Sequence, residues 1–111
     1  MDYTGHHGCP DLSAPAEARA YFGHIDEELR RAAWFAHRPS DPLFGGLIDY
    51  AAWRGRRVLE VGCGLGAIAG TLAREGVRVT ALDLTRTGTR ATARRFALDG
   101  MGGDAVQADA E

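Results

Sequence analysis

A chain of 111 residues and 11.9 kDa has room for one domain with a modest core, because chains of this length bury only about two-thirds of their unfolded surface. With 45% hydrophobic and 25% charged residues it sits at globular averages, which excludes disordered, collagen-like and mucin-like chains. Fifteen acidic against thirteen basic side chains leave a formal charge of −2, so no sequence-wide positive field draws nucleic acid or an anionic membrane surface, and neither is an expected partner.

Met1 to Ser13 is polar and aperiodic, and residues 1–14 are expected to be a disordered terminus. His6, His7 and Cys9 fall in it without a fourth ligand or a zinc spacing, so no metal site is expected. The terminus has no basic stretch followed by an apolar one, and no apolar run approaches the length of a membrane span. Two cysteines allow one disulfide at most. Cys63 lies in a glycine-rich turn where a cross-link would obstruct close backbone approach, so a reducing cytoplasm is the expected compartment.

From Pro15 to about Ala36, Tyr21, Ile25, Leu29 and Ala32/Ala33 recur at helical spacing opposite Asp26, Glu27, Arg30 and Arg31, which predicts an amphipathic helix. Arg38-Pro39-Ser40-Asp41-Pro42 breaks it, and Asp41 followed by Pro42 reads as the start of a second helix. That helix is expected to run to about Trp53, burying Leu43, Leu47, Ile48 and Ala51 and stopping at Gly55; residues 15–55 thus form a helical cap. The aromatic residues Tyr21, Phe22, Trp34 and Phe35 are expected to pack in the ordinary way, and His24 and His37 to have no catalytic role.

At Arg57 the pattern changes. Val58-Leu59-Glu60-Val61 is a β-branched-rich run ending in Gly62-Cys63-Gly64-Leu65-Gly66, and Leu65, Ile68, Leu72 and Ala73 follow at helical spacing up to Gly76. A second strand, Val77 to Asp83, leads into a helix from about Arg86 to Leu98, closed by Asp99-Gly100. Asp104 to Asp109 reads as a third strand. The order β-α-β-α-β with short links implies right-handed crossovers and a parallel, doubly wound α/β sheet, preceded by two helices. Arg86, Arg90 and Arg94, with Arg95 beside them, are expected to form a solvated helix face.

Gly62, Gly64 and Gly66 let the main chain approach a ligand beyond the carboxyl end of the first strand, and Asp83, about twenty residues on, can accept from two ribose hydroxyls. Together they point to an adenosine-containing cofactor. Read as a dinucleotide fingerprint, Ala67 must stand for the third Gly, and Glu60 would face a pyrophosphate and repel it. Glu60, Asp83 and Asp109, one acidic residue near the end of each strand, suit instead a ligand with a sulfonium and an ammonium and no phosphate. Cys63 has no His base to pair with and reads as a small turn filler.

These residues resemble the class I (Rossmann-like) S-adenosylmethionine-dependent methyltransferases. Val58 to Gly66 looks like that family's first motif, which implies that Glu60, Gly62, Cys63 and Gly64 border the methionine portion of the cofactor, with Gly66 also among the cofactor-binding residues. Val79 to Leu84 looks like the second, with Asp83 on the ribose and Leu84 on the adenine face. Val106 to Glu111 looks like the third, with Asp109 and the Ala110 backbone at the adenine edge. The resemblance implies methyl transfer to an acceptor, expected to be a small molecule, with residues 56–111 as the first half of the domain: only the first three of its strands. No catalytic base is expected in the chain, and the Val58–Val61 edge is expected to stay unpaired and to favour self-association. A nicotinamide-dependent oxidoreductase fragment and a non-catalytic nucleotide-binding module are the other readings of the same turn.

Overall fold

The computed structural model describes residues 11–38 and 40–111. Strands β1 (Arg57–Val61), β2 (Arg78–Asp83) and β3 (Asp104–Gln107) form a parallel sheet in the order β1-β2-β3. Val58 pairs with Val79 and Val61 with Leu82, while Leu82 pairs with Val106. The helix Ala67–Arg74 joins β1 to β2 and Arg86–Leu98 joins β2 to β3, completing a Rossmann-like β-α-β-α-β unit. Counting the helices in chain order, α1 is Pro15–Ala32, α2 Tyr50–Trp53, α3 Ala67–Arg74 and α4 Arg86–Leu98.

The two crossover helices touch each other and lie on one face of the sheet. Alternation along the strands shows which face: Val79 and Ala81 are buried beneath them, whereas Leu59 and Val61 point away and remain more than half exposed. Among the described residues the sheet is therefore covered on one side, not on both as a doubly wound sheet would be. Going the same way along the sheet twice with the same handedness puts both crossovers on the same side. Helix α1 forms a third layer, laid over α3 and α4 through Ala18, Phe22 and Ile25, with Ala91 of α4 in the same cluster.

Several local outcomes differ from the sequence reading. The second helix is a single turn, Tyr50–Trp53, capped by Asp49, whose carboxylate accepts from the Ala52 amide. Residues 41–49 are turns instead. Phe44 takes a positive φ of 59°, and Gly46 lies so close to Ala36 that a Cβ there would stand 2.5 Å from the Ala36 carbonyl oxygen. A continuous helix from Asp41 cannot accommodate either. Leu43 is buried, but Leu47 is exposed. His37 organises this bend: Nδ1 lies 2.8 Å from the Ala33 carbonyl, and Nε2 accepts from the Phe44 amide at 2.6 Å.

Helix α1 ends at Ala32 and continues as one 3-10 turn, Trp34–Ala36. There Trp34 and Phe35 are 75% and 68% exposed and meet each other edge to face, so the ordinary packing expected of them does not occur. Residues 11–14, the described part of the expected disordered terminus, are held in place: the Arg94 guanidinium donates to the carbonyls of Leu12 and Ser13. His6, His7 and Cys9 lie outside the described residues. Among the described residues no helix is long and apolar enough to cross a membrane.

Candidate functional site

The site forms where the chain leaves β1. Gly62 and Cys63 both donate their amides to the Leu82 carbonyl, which ties the start of the turn to β2. Gly62, Gly64 and Gly66 then take φ of 76°, 54° and 82°, a region side chains enter only under strain. At Gly62 and Gly64 nothing lies within 4 Å of where a Cβ would be, so bare backbone faces open space. Gly66 does something else. A Cβ on it would stand 2.7 Å from Thr92 Oγ1, so its place is against α4, behind the turn and away from the cavity wall.

A cavity of about 450 Å³ opens over the turn. Residues 61–65 line one part of it, Glu60 lies beside them, and Ile25, Leu29 and Phe44 from the cap form its apolar wall. A second cavity of about 230 Å³ shares Val61 and Gly62 with the first and extends to Asp83, Leu84, Asp109 and Ala110. Glu60 thus lines the larger of these adjoining cavities, and Asp83 and Asp109 the smaller. β3 stops at Gln107, so Asp109 and Ala110 sit in the loop beyond it and not at the strand's end; Asp109 accepts from the Glu111 amide. The Ala108 amide donates to the Asp83 carbonyl, keeping that loop beside β2.

The carboxylates of Glu60 and Asp83 differ in state. Asp83 accepts from Thr85 Oγ1 at 2.6 Å, from the Thr85 amide at 3.1 Å and from the Gly64 amide at 3.4 Å. These bonds, the Thr85 hydroxyl's foremost, hold its carboxyl below the usual range, and its open rim position leaves lone pairs for a ligand. Glu60 is pushed up to about 7 by burial alone, and its Oε2 is buried without a hydrogen-bond partner. An orphaned carboxylate oxygen beside a cavity is a place for a cationic donor. Cys63 turns inward, with its sulfur 3.5 Å from Thr92 Oγ1; burial raises its thiol, which is the state of a filler and not of a nucleophile. Leu84 stands 66% exposed at the rim of the smaller cavity.

Helix α4 supplies parts of the site that sequence reading missed. Thr92 Oγ1 also reaches the Gly64 carbonyl at 3.2 Å, and Arg95 Nε donates to the Leu65 carbonyl at 2.7 Å. Arg95 is only 3% exposed, so it does not belong to the solvated arginine face on which Arg86 and Arg90 do lie. The signal was present in the chain: Gly88 and Ala91 are small where α4 meets the turn, and a Cβ on Gly88 would lie 2.7 Å from both Asp83 Oδ2 and the Gly64 carbonyl. Among the described residues no group of three or more His, Cys, Asp or Glu is arranged to hold a metal ion.

Residues 58–111 match a family described as a methyltransferase domain. The chain is 45% identical over 58 residues to ubiquinone biosynthesis O-methyltransferase of Xylella fastidiosa (strain M23), covering 46% of this chain and 24% of that protein. It is 37% identical over 79 residues to the protein of the same name from Xanthomonas oryzae pv. oryzae (strain PXO99A), covering 63% and 33%. Ribosomal RNA small subunit methyltransferase C of Chromohalobacter salexigens is 44% identical over 55 residues, covering 50% and 16%. The chain thus spans from about a sixth to a third of the length of these curated relatives.

Proposed function

We propose that this chain, which belongs over residues 58–111 to the class I, Rossmann-like S-adenosylmethionine-dependent methyltransferases, binds S-adenosylmethionine across its strand ends and serves methyl transfer to a small-molecule acceptor. The observation that carries the cofactor reading is the orphaned Glu60 Oε2 beside bare glycine backbone, continuous with the anionic rim at Asp83. Glu60 takes the ammonium of the methionine portion, with the backbone of Gly62, Cys63 and Gly64 packed along it. Asp83 accepts from the ribose hydroxyls; Leu84 covers one adenine face, and Asp109 with the Ala110 backbone meets the adenine edge.

Bound there, the cofactor supplies an electrophilic methyl group on a sulfonium. The protein's part is to align and to dry: the turn fixes the donor, while Ile25, Leu29 and Phe44 keep water from the larger cavity. That apolar wall supports an acceptor with apolar bulk, and the formal charge of −2 disfavours a nucleic-acid acceptor. Relatives whose names point to ubiquinone biosynthesis and to ribosomal RNA both match this chain, so the acceptor reading rests on this chain's wall and charge.

A nicotinamide dinucleotide suits the site less well, because its pyrophosphate would lie over the turn beside Glu60. Calorimetric titration of the chain with S-adenosylhomocysteine and with NADH separates the two. S-adenosylhomocysteine should bind and lose at least about tenfold in affinity in Asp83→Asn, as loss of a charge-assisted pair implies. Binding of NADH alone would overturn the proposal.

A further inference from the structure

Arg95 is the most deeply buried charged side chain among the described residues, and the glycine turn is one of the things it touches. Its Nε donates to the Leu65 carbonyl, and its Nη1 stands 3.0 Å from Asp26 Oδ1 and donates to Asp26 Oδ2 at 3.1 Å. Asp26 belongs to α1, so one guanidinium bridges the N-terminal helix to the middle of the turn. The guanidinium also lies 4.3 Å from the centroid of the Phe22 ring, again on α1. Gly70 of α3 leaves the room: a Cβ there would press on Arg95 Cδ at 3.3 Å. A planar fork with fixed donors suits such a three-way joint, and a lysine cannot reproduce it.

We infer that Arg95 and Asp26 are a positioning pair that pins the glycine turn to α1, so that the cap helix governs the shape of the cofactor site without offering the cofactor a polar ligand. The inference rests on the cofactor reading above. Thr92 holds the Gly64 carbonyl from the same helix, and Arg95 holds the next one, so successive carbonyls of the turn point back into the protein. Their peptide planes are thereby fixed, and with them the direction of the amides that follow. Losing the Arg95 bond leaves the Leu65–Gly66 peptide held only by its amide's bond to the Cys63 carbonyl, so it loosens. Losing Asp26 leaves the guanidinium without its counter-charge and free to shift off the turn.

The test uses Arg95→Lys, which keeps the charge but not the fork, and Asp26→Asn, which keeps an acceptor but not the charge; the second stands if the first fails to fold. Val77→Ala, a buried position just before β2 and at the far end of it from Asp83, serves as a control for general destabilisation. Amide hydrogen exchange of residues 64–66 should accelerate about tenfold in both variants relative to β2 amides, the scale of one charge-assisted hydrogen bond. The dissociation constant for S-adenosylhomocysteine should rise by a similar factor of about ten, and in Val77→Ala it should stay within a factor of about two. Turn exchange and affinity that merely track global stability, as in the control, would overturn the inference. If the wild-type chain takes up no S-adenosylhomocysteine, the cofactor reading fails, and exchange at residues 64–66 still decides whether the pair pins the turn.

Discussion

At the scale of single residues, the site depends on two carboxylates in opposite conditions. Glu60 is held protonated by burial up to about pH 7, against 4.5 for an ordinary glutamate. Its folded value is the raised one, so the stability it contributes is full below about pH 4.5 and is lost as the pH climbs through 7. Glu60→Gln should abolish that slope and leave the chain about 2 kcal/mol more stable than wild type at pH 8, after allowance for partial exposure. Thermal denaturation from pH 5 to pH 8 checks it; parallel curves for the two proteins would contradict it. A bound ammonium favours the ionised form, so wild-type affinity for S-adenosylhomocysteine should increase as the pH rises from about 6 to about 8, and Glu60→Gln should bind weakly and evenly across that range. Asp83 was legible from its place at a strand end, a spacing that parallel crossovers fix. The state of Glu60 was not, because it follows from burial, which depends on how residues far apart in the chain fold together.

At the scale of elements, the glycines of the turn are not equivalent. Gly62 and Gly64 face open space and Gly66 faces Thr92, although all three have positive φ. Gly62→Ala should cost about 1–2 kcal/mol of backbone strain. Gly66→Ala should cost a further 1–3 kcal/mol, roughly, for overpacking against α4. Chemical denaturation of both variants measures the difference, and equal losses would refute the assignment of Gly66 to packing. The strands were readable as short β-branched-rich runs punctuated by glycine turns, and α3 from the helical spacing of Leu65, Ile68, Leu72 and Ala73. Residues 41–49 misled for the same reason. Leu43, Leu47, Ile48 and Ala51 mimic a helical stripe, while the Gly45-Gly46 pair and the His37 bond to the Phe44 amide bend the chain out of helix. The inward side of α4 was hidden in another way: it is polar, with Thr92 and Arg95 buried to serve the turn, and charge reads as surface when the partner cannot be seen.

At the scale of the whole molecule, one face of the sheet stands open among the described residues, and both edge strands, β1 and β3, lack an outer partner. Leu59 and Val61 are 58% and 59% exposed, Val106 adds a 43% exposed neighbour through Leu82, and β1 has no strand on its outer side. Unpaired apolar edges take up partners, so the 111-residue chain should self-associate with rising concentration, and Val61→Lys should reduce this. Light scattering coupled to size-exclusion chromatography measures it; a monomer at every concentration would refute it. The fold, the cap and the turn nevertheless meet in a single claim, that the space across the three strand ends holds a sulfonium nucleoside. Titration of the isotopically labelled chain with S-adenosylhomocysteine, followed through backbone amide resonances, tests that claim most directly. Shifts concentrated at residues 60–66, 83–84 and 108–111 are the expected result, and shifts that leave these three segments untouched would contradict it.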